Sequence, residues 1–215
     1  MPGVVTTHLY LVRHGETDWN REQRLQGTVD VPLNSAGLAQ ARRLADYFAR
    51  IPVVCIVSSP LARATATAAI LAEACACPHT TDARLREVDH GAWSGRTLPD
   101  ISQCFPSLVK AEQLMPEAFD VSRGEPLLAV YLRASEALAD LLDAYGGQTV
   151  VVVGHGVTLA AMWCAATGLE MARLHECQSP NAGGVVLTFS QGHCVEQGRQ
   201  RVALRPLEGR AGTRG

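Results

Sequence analysis

Four short apolar runs along the chain have the composition of β-strands. The runs Val53–Val57 and Thr149–Val153 are continuous and rich in β-branched residues, so both faces of each strand are expected to be buried. Strands of this kind are typical of parallel sheets that helices cover on both sides. Two further strands are predicted at His8–Val12 and Val185–Phe189.

Between these strands, apolar residues recur at helical spacing. The first apolar stripe predicts a helix that begins after an N-cap at Asn34 or Ser35 and ends at Phe48. A second helix is predicted to open at Ser59-Pro60, with serine as cap and proline at the first helical position. Two more helices are predicted at 127–145, ended by the glycine pair 146–147, and at Gly156–Thr167, which is apolar nearly all round.

The alternation of strands and helices predicts the architecture. It favours an α/β fold, a three-layer α/β/α sandwich with a mostly parallel central sheet. Residues 91–124 are rich in Gly, Pro and polar residues, so we expect a small lid insertion there, with a short helix at Leu98–Cys104. A hairpin with its turn at Gln191-Gly192 is predicted within Val185–Leu204. A length of 215 residues then predicts a single domain, 1–215, with a frayed tail at about 207–215.

Composition and charge exclude several classes of partner. The formal net charge is -2 and the pI is about 6.4, so no global field favours nucleic acid or an anionic membrane. The longest apolar stretch, Val150–Leu169, is interrupted at Gly154-His155-Gly156, which argues against a membrane span. Seven scattered cysteines and the lack of a secretory signal predict reduced thiols and a cytoplasmic location.

Three polar motifs follow three of the predicted strands. They are Arg13-His14-Gly15, the segment 58–63 that ends in Arg63, and Gly154-His155-Gly156. In open parallel sheets, ligands bind outside the carboxyl ends of the strands, so we expect these motifs to meet at one edge. Taken alone, Arg13-His14 could be a solvated strand end and Arg63 a surface helix residue.

The combined motifs have the chemistry of a phosphoryl site. Two guanidiniums and an imidazolium around one point can bind a dianionic phosphoryl group, and a second imidazole can attack its phosphorus. A proton donor for the leaving oxygen completes such a site. Glu87 is one candidate, while Glu16, Asp18 and Asp89 also lie near the motifs in sequence.

The sequence also resembles a known family. Residues 11–17 (LVRHGET) with Trp19-Asn20, and further motifs in the same order, are similar to the histidine phosphatase superfamily, which has the phosphoglycerate-mutase-like fold. The further motifs are Gln26-Gly27, Pro32-Leu33, Ser58–Ala64, Leu85–Gly95, Val150–Gly156 and Asn181. The resemblance extends from His8 to about Phe189, which is most of the chain.

This resemblance implies a role for each matching residue. His14 would be the nucleophile that becomes phosphohistidine, and Glu87 would protonate the leaving oxygen. The phosphoryl oxygens would be held by Arg13, Arg63 and His155, with no metal and no cofactor. Further substrate contacts are expected at Asn20, Gln26, Gly27, His90 and Gly156.

The segment between the proton donor and the second histidine favours hydrolysis over phosphoryl transfer between substrates. Residues 97–125 hold five acids, two bases and no Arg-Arg pair, whereas mutase-type members carry adjacent arginines there. His90 matches a substrate-contacting histidine of the metal-independent phosphoserine phosphatases, although Pro126 stands where those proteins usually have serine. We therefore expect a phosphatase acting on a small-molecule phosphate ester, with phosphoserine as the candidate.

Two alternative functions stay open on the sequence alone. One is a phosphoglycerate mutase, and the other is a catalytically idle binding protein. The sequence predicts no nucleic-acid or membrane partner and is compatible with a homodimer.

Overall fold

The computed structural model describes residues 5–104 and 124–198 of the chain. Within these residues, six strands form one sheet in the order β3-β2-β4-β1-β5-β6. Their bounds are β1 Thr6–Arg13, β2 Val53–Ser58, β3 His79–Thr81, β4 Thr149–Gly154, β5 Gly184–Ser190 and β6 His193–Gly198. The neighbours β3, β2, β4 and β1 are parallel, whereas β5 pairs antiparallel with β1 and β6 pairs antiparallel with β5.

Helices cover both faces of this sheet. Their bounds are α1 Asp18–Arg21, α2 Ser35–Phe48, α3 Ala62–Cys75, α4 Leu98–Cys104, α5 Leu127–Ala144 and α6 Gly156–Thr167. Short 3₁₀ turns lie at Ala83–Leu85, Gly91–Trp93 and Met171–Cys177.

The central strand β4 shows why the sandwich has two cores. Its valines are fully buried, and successive side chains point to opposite faces. Val150 and Val152 belong to the apolar cluster that includes α5 and α6. Val151 and Val153 belong to the cluster that includes α2 and α3. The three-layer α/β/α architecture expected from the continuous apolar runs is therefore confirmed.

Most predicted elements are present, and one helix start is wrong. Asn34 is the N-cap of α2, and its side-chain oxygen accepts from the Gly37 N–H at 2.8 Å. The helix predicted to open at Ser59-Pro60 begins instead at Ala62, after an extended Leu61. The reason is that Leu61 is extended, with ψ at 137°, so helical geometry cannot begin before Ala62, while the Ser59 hydroxyl bonds to His155 and accepts from the Leu61 N–H.

The remaining differences lie at the edges of the sheet and in the insertion. The short polar strand β3 was not anticipated, because its three residues carry no apolar pattern. The hairpin turn lies at Gln191-Gly192 as predicted, with both residues at positive φ. The helix Leu98–Cys104 is also present. Residues 105–123 and the predicted frayed tail lie outside the described residues, so the lid and the single domain stay predictions.

In the described parts of the chain, no helix combines the length and the apolar character needed to cross a membrane. The cytoplasmic location and a homodimer stay predictions.

Candidate functional site

The three polar motifs meet at the carboxyl edge of the parallel strands. Arg13 at the end of β1 is paired in register with Gly154 at the end of β4, and Ser58 of β2 is paired with Val153. The imidazoles of His14 and His155, which follow β1 and β4, lie with ring centroids 5.1 Å apart and planes tilted by 57°. The strand ends therefore place these two rings in one buried site.

His14 is held with one ring nitrogen committed to the backbone. Its Nδ1 lies 2.6 Å from the Gly15 carbonyl oxygen, and because a carbonyl can only accept, Nδ1 carries the proton. Nε2 is then the unprotonated nitrogen with a free electron pair. Burial lowers the pKa of His14 well below its usual value, and the charges of Arg63 and Arg13 lower it further. The ring is therefore neutral near pH 7.

A small hydrogen-bond network fixes the loop that carries His14. The Gly15 N–H donates to the Thr67 hydroxyl at 3.1 Å, and that hydroxyl donates to the Arg63 carbonyl at 2.8 Å. A Cβ at Gly15 would lie 2.5 Å from the Gly37 carbonyl oxygen, so only glycine allows this close approach. Asn181 donates its amide to the His14 carbonyl at 3.2 Å.

The two arginines differ in exposure, because Arg63 is buried and Arg13 is partly buried. Arg63 is 1% exposed and donates to the carbonyls of Gly27 at 2.7 Å and Val29 at 2.8 Å. Arg13 donates to the Ser179 carbonyl at 2.9 Å. Burial lowers the pKa of Arg63 to about 10, which still leaves it charged near pH 7.

Both guanidiniums also carry donors that the protein leaves unused. Among the described residues, the Nε atoms of Arg13 and Arg63 are buried without a hydrogen-bond partner. A buried polar group without a partner costs about 1–3 kcal/mol, so an anion that accepts from these donors would be bound favourably.

His155 is the second buried imidazole of the cluster. It is fully buried, and burial together with the neighbouring charges lowers its pKa well below the usual value. Its Nε2 lies 2.8 Å from the Ser59 hydroxyl oxygen. Within the described residues its Nδ1 has no partner. A proton on Nδ1 would make it a third unused donor beside the two arginines.

Glu87 is the carboxylate that the structure brings to this cluster. Its oxygens accept from the N–H groups of Val157 and Thr158, each at 3.2 Å, at the N-terminus of α6. A Cβ at Gly156 would lie 3.7 Å from both the Glu87 Oε2 and the Arg13 Cζ. Gly156 therefore lies beside both the carboxylate and the guanidinium.

The other carboxylates considered from the sequence have partners elsewhere. Glu16 accepts from the Asn34 side chain at 2.9 Å. Asp18 forms an exposed ion pair with Arg21 at 3.0 Å, and Asp89 accepts from the Gly91 N–H at 2.8 Å.

Three of the expected substrate contacts, Asn20, Gln26 and Gly27, lie in the segment between β1 and α2, and the Gly27 carbonyl accepts from Arg63. The side-chain oxygen of Asn20 accepts from the amide of Asn181 at 3.0 Å, and that of Gln26 accepts from the Thr17 hydroxyl at 3.0 Å. Both bonds help to fix the segment between β1 and α2. Gly27 has a φ of 51°, and a Cβ there would lie 3.2 Å from the ring of His90. Burial lowers the pKa of His90, while the charges of Glu87 and Asp89 oppose that shift. His90 therefore lies beside Gly27, and its ring feels the charge of Glu87.

Three residues of this network were not found from the sequence. Ser59, Thr67 and Thr158 each bond to a site residue through a hydroxyl group. Ser59 lies within the motif 58–63, and Thr67 lies one helical turn after Arg63, which are the signals that could have pointed to them. Within residues 5–104 and 124–198, no three His, Cys, Asp or Glu side chains are grouped to hold a metal ion.

The buried neutral histidines predict how stability depends on pH. The unfolded chain takes up protons on these rings below about pH 6.5, whereas the folded protein does not. The free energy of unfolding should therefore decrease as the pH is lowered. The expected slope is up to about 1.4 kcal/mol per pH unit for each ring, from about pH 6.5 down to its folded pKa.

Urea unfolding of His14→Asn should show a shallower dependence of the unfolding free energy on pH than the wild type. His193→Asn, at the exposed first residue of β6, should keep the wild-type slope. An unchanged slope in His14→Asn would contradict a neutral His14.

Comparison with known proteins adds independent findings. The family model of the histidine phosphatase superfamily (branch 1) matches residues 9–200. The chain is 35% identical over 183 residues to phosphoserine phosphatase 1 of Hydrogenobacter thermophilus, covering 85% of this chain and 87% of that protein. It is 37% identical over 176 residues to the probable phosphoglycerate mutase GpmB of Citrobacter koseri, covering 79% and 81%. A solved phosphoserine phosphatase variant of Entamoeba histolytica, in complex with phosphoserine, matches with a TM-score of 0.78 at 26% identity, covering 89% and 96%.

Proposed function

This chain belongs to the histidine phosphatase superfamily, and we propose that it hydrolyses small-molecule phosphate monoesters through a phosphohistidine on His14. The observation that carries the proposal is the position of this ring. Its Nδ1 is bonded to the Gly15 carbonyl, and the charges of Arg13 and Arg63 help to keep the ring neutral. A neutral imidazole with a free Nε2 beside two cations is suited to attack a bound phosphoryl group.

The reaction divides into two displacements at phosphorus. In the first, His14 Nε2 forms a bond to phosphorus while the ester P–O bond breaks, and protonated Glu87 gives its proton to the departing oxygen. In the second, water attacks the phosphohistidine and the P–N bond breaks, while Glu87 takes a proton from that water. Phosphate leaves, and both side chains return to their starting states.

The negative charge of the phosphoryl group can be stabilised by hydrogen-bond donors of the protein itself. The unused Nε groups of Arg13 and Arg63, with Nδ1 of His155, can donate to the phosphoryl oxygens. Preorganised donors of this kind stabilise the charge that develops in the transition state. We therefore propose that the reaction needs no divalent metal.

Metal independence gives the direct test of this function. Purified protein should release phosphate from p-nitrophenyl phosphate in the presence of excess EDTA, because the arginines supply the positive charge. Vanadate, which adopts the geometry of the pentacovalent state, should inhibit. A rate that EDTA removes and Mg²⁺ restores would contradict the mechanism, and no phosphate release under either condition would overturn the proposed function.

We propose phosphoserine as the substrate class. His90 lies next to Gly27, and the carboxylate of Glu87 is among its charged neighbours, which supports a contact between its imidazole and the leaving group. A neutral imidazole can donate a hydrogen bond to the substrate carboxylate. The acidic balance of residues 97–125 suits the substrate ammonium. The relatives named as phosphoserine phosphatases support the same assignment.

This assignment predicts a selective effect at His90. L-phosphoserine should be hydrolysed faster than 3-phosphoglycerate, which shares the carboxylate but has a hydroxyl in place of the amine. His90→Ala should raise KM for phosphoserine about 10-fold, the scale of one hydrogen bond to a charged group, and leave p-nitrophenyl phosphate nearly unchanged. His193→Ala is the matched control and should change neither.

Two results would count against the substrate class. Equal effects of His90→Ala on both esters would remove the carboxylate contact. Conversion of 3-phosphoglycerate to its 2-phospho isomer, faster than phosphate release, would favour the mutase function named for one group of relatives.

A further inference from the structure

The Arg133 side chain on α5 connects segments that are distant in sequence. Its Nε and Nη2 form a two-pronged ion pair with Glu125, at 2.7 and 2.8 Å. Its Nη1 donates to the carbonyl of Arg86 at 2.6 Å and also to the carbonyl of Arg84. One guanidinium therefore binds four oxygens from two segments.

These contacts lie directly beside the proposed proton donor. Arg86 precedes Glu87, and its carbonyl accepts from both Arg133 and the Thr158 hydroxyl, the latter at 2.6 Å. The same hydroxyl lies 3.3 Å from the Glu87 carboxylate. The backbone before Glu87 is thus fixed from α5, while its carboxylate is fixed from α6.

A second tie joins the same two segments. The Glu125 N–H donates to the Asp89 carbonyl at 2.9 Å, so Glu125 contacts the chain after Glu87 as well as Arg133. The ion pair is partly shielded, with the Arg133 side chain 14% exposed and that of Glu125 24% exposed. Only arginine has the planar fork that can pair with a carboxylate and still reach a carbonyl.

We propose that Arg133 is a positioning residue that holds Glu87 in line with the leaving oxygen, through the carbonyls of Arg84 and Arg86 and the ion pair with Glu125. The inference rests on the proposed phosphatase mechanism. Its consequence is that Arg133 acts on proton transfer to the leaving group and not on the attack by His14.

The chain offers a matched control for loss of contacts between α5 and this segment. Asp140 lies two helical turns after Arg133 and forms an ion pair with Arg84 at 2.7 Å, with its own side chain 66% exposed. That pair involves the side chain of Arg84 and leaves the carbonyls near Glu87 untouched. Asp140→Asn should therefore keep wild-type rates on all esters.

The experiment compares two esters that differ in their leaving group. Phenyl phosphate and p-nitrophenyl phosphate have similar shapes, but phenoxide is the more basic leaving group and needs more protonation. Arg133→Met should slow phenyl phosphate by about 10- to 100-fold, the scale of a small misplacement of a reacting group, and p-nitrophenyl phosphate much less. Arg133→Lys should lie between Arg133→Met and the wild type.

A second background separates positioning from a general structural role. In Glu87→Gln, adding Arg133→Met should cost little more, because the group that it positions no longer donates a proton. The same further loss in this background, or equal slowing of both esters by Arg133→Met, would overturn the inference. If Arg133→Met does not fold, Glu125→Gln carries the same test, with the same pattern at smaller size.

The outcomes also separate this inference from the proposed function. If Glu87→Gln slows the two esters equally, the proton-donor role falls and the inference falls with it. If Glu87→Gln discriminates between the esters but neither Arg133→Met nor Glu125→Gln does, only the inference is overturned.

Discussion

Replacing His14 by asparagine is expected to lower kcat on p-nitrophenyl phosphate on the order of 10⁴-fold or more, the scale on which removal of a covalent nucleophile acts. Asparagine keeps a donor for the Gly15 carbonyl, which His14 Nδ1 now bonds at 2.6 Å, but it has no second nitrogen to attack phosphorus. The measurement is phosphate release, with circular dichroism to verify the fold.

Two results give this prediction its control and its limit. His193→Asn, at the exposed first residue of β6, should keep the wild-type rate. A His14→Asn protein that retains a tenth or more of the wild-type kcat would show that another group attacks the phosphorus.

The second large effect is expected at Glu87. Glu87→Gln keeps an oxygen that can accept from the N–H groups of Val157 and Thr158, but it has no acidic proton to give. General acid catalysis contributes about 10²–10⁴ to rates, so kcat/KM for phenyl phosphate should fall by that amount. The fall for p-nitrophenyl phosphate should be far smaller, because its leaving group departs without protonation.

The carboxylates that the sequence left open supply the control for Glu87. Glu16→Gln should change the two esters to the same small extent, since that carboxylate accepts from Asn34 and not from α6. Equal slowing of both esters by Glu87→Gln would instead assign Glu87 to positioning or to the water step.

Much of the fold could be predicted because each helix or strand has a hydrophobic pattern that can be recognised without knowing its neighbours. A strand such as Thr149–Gly154, whose residues are apolar with buried neighbours on both faces, can be recognised without knowing its partners. Because parallel strands end at one edge, Arg13 and His155 could be placed together before any coordinates. Edge strand β3 could not be found this way, because its three polar residues carry no apolar pattern.

The parts of the site that were missed depend on contacts between distant elements. The Ser59 hydroxyl contacts His155, which lies 96 residues away, and no local pattern announces that bond. In the sequence, Arg133 is an ordinary polar residue of the helix predicted at 127–145. In the structure, its guanidinium donates to carbonyls that lie 47 and 49 residues away. The lowered pKa of His155 could not be predicted for a related reason, because it depends on complete burial and on the nearby His14 and arginines.

The most direct test of covalent catalysis at His14 is to trap the phosphoenzyme. Rapid alkaline quenching of the protein during turnover of ³²P-labelled ester should give a base-stable, acid-labile label, and mass spectrometry should place it on the peptide that contains His14. Label of the same amount in His14→Asn, or an acid-stable label in the wild type, would contradict the account.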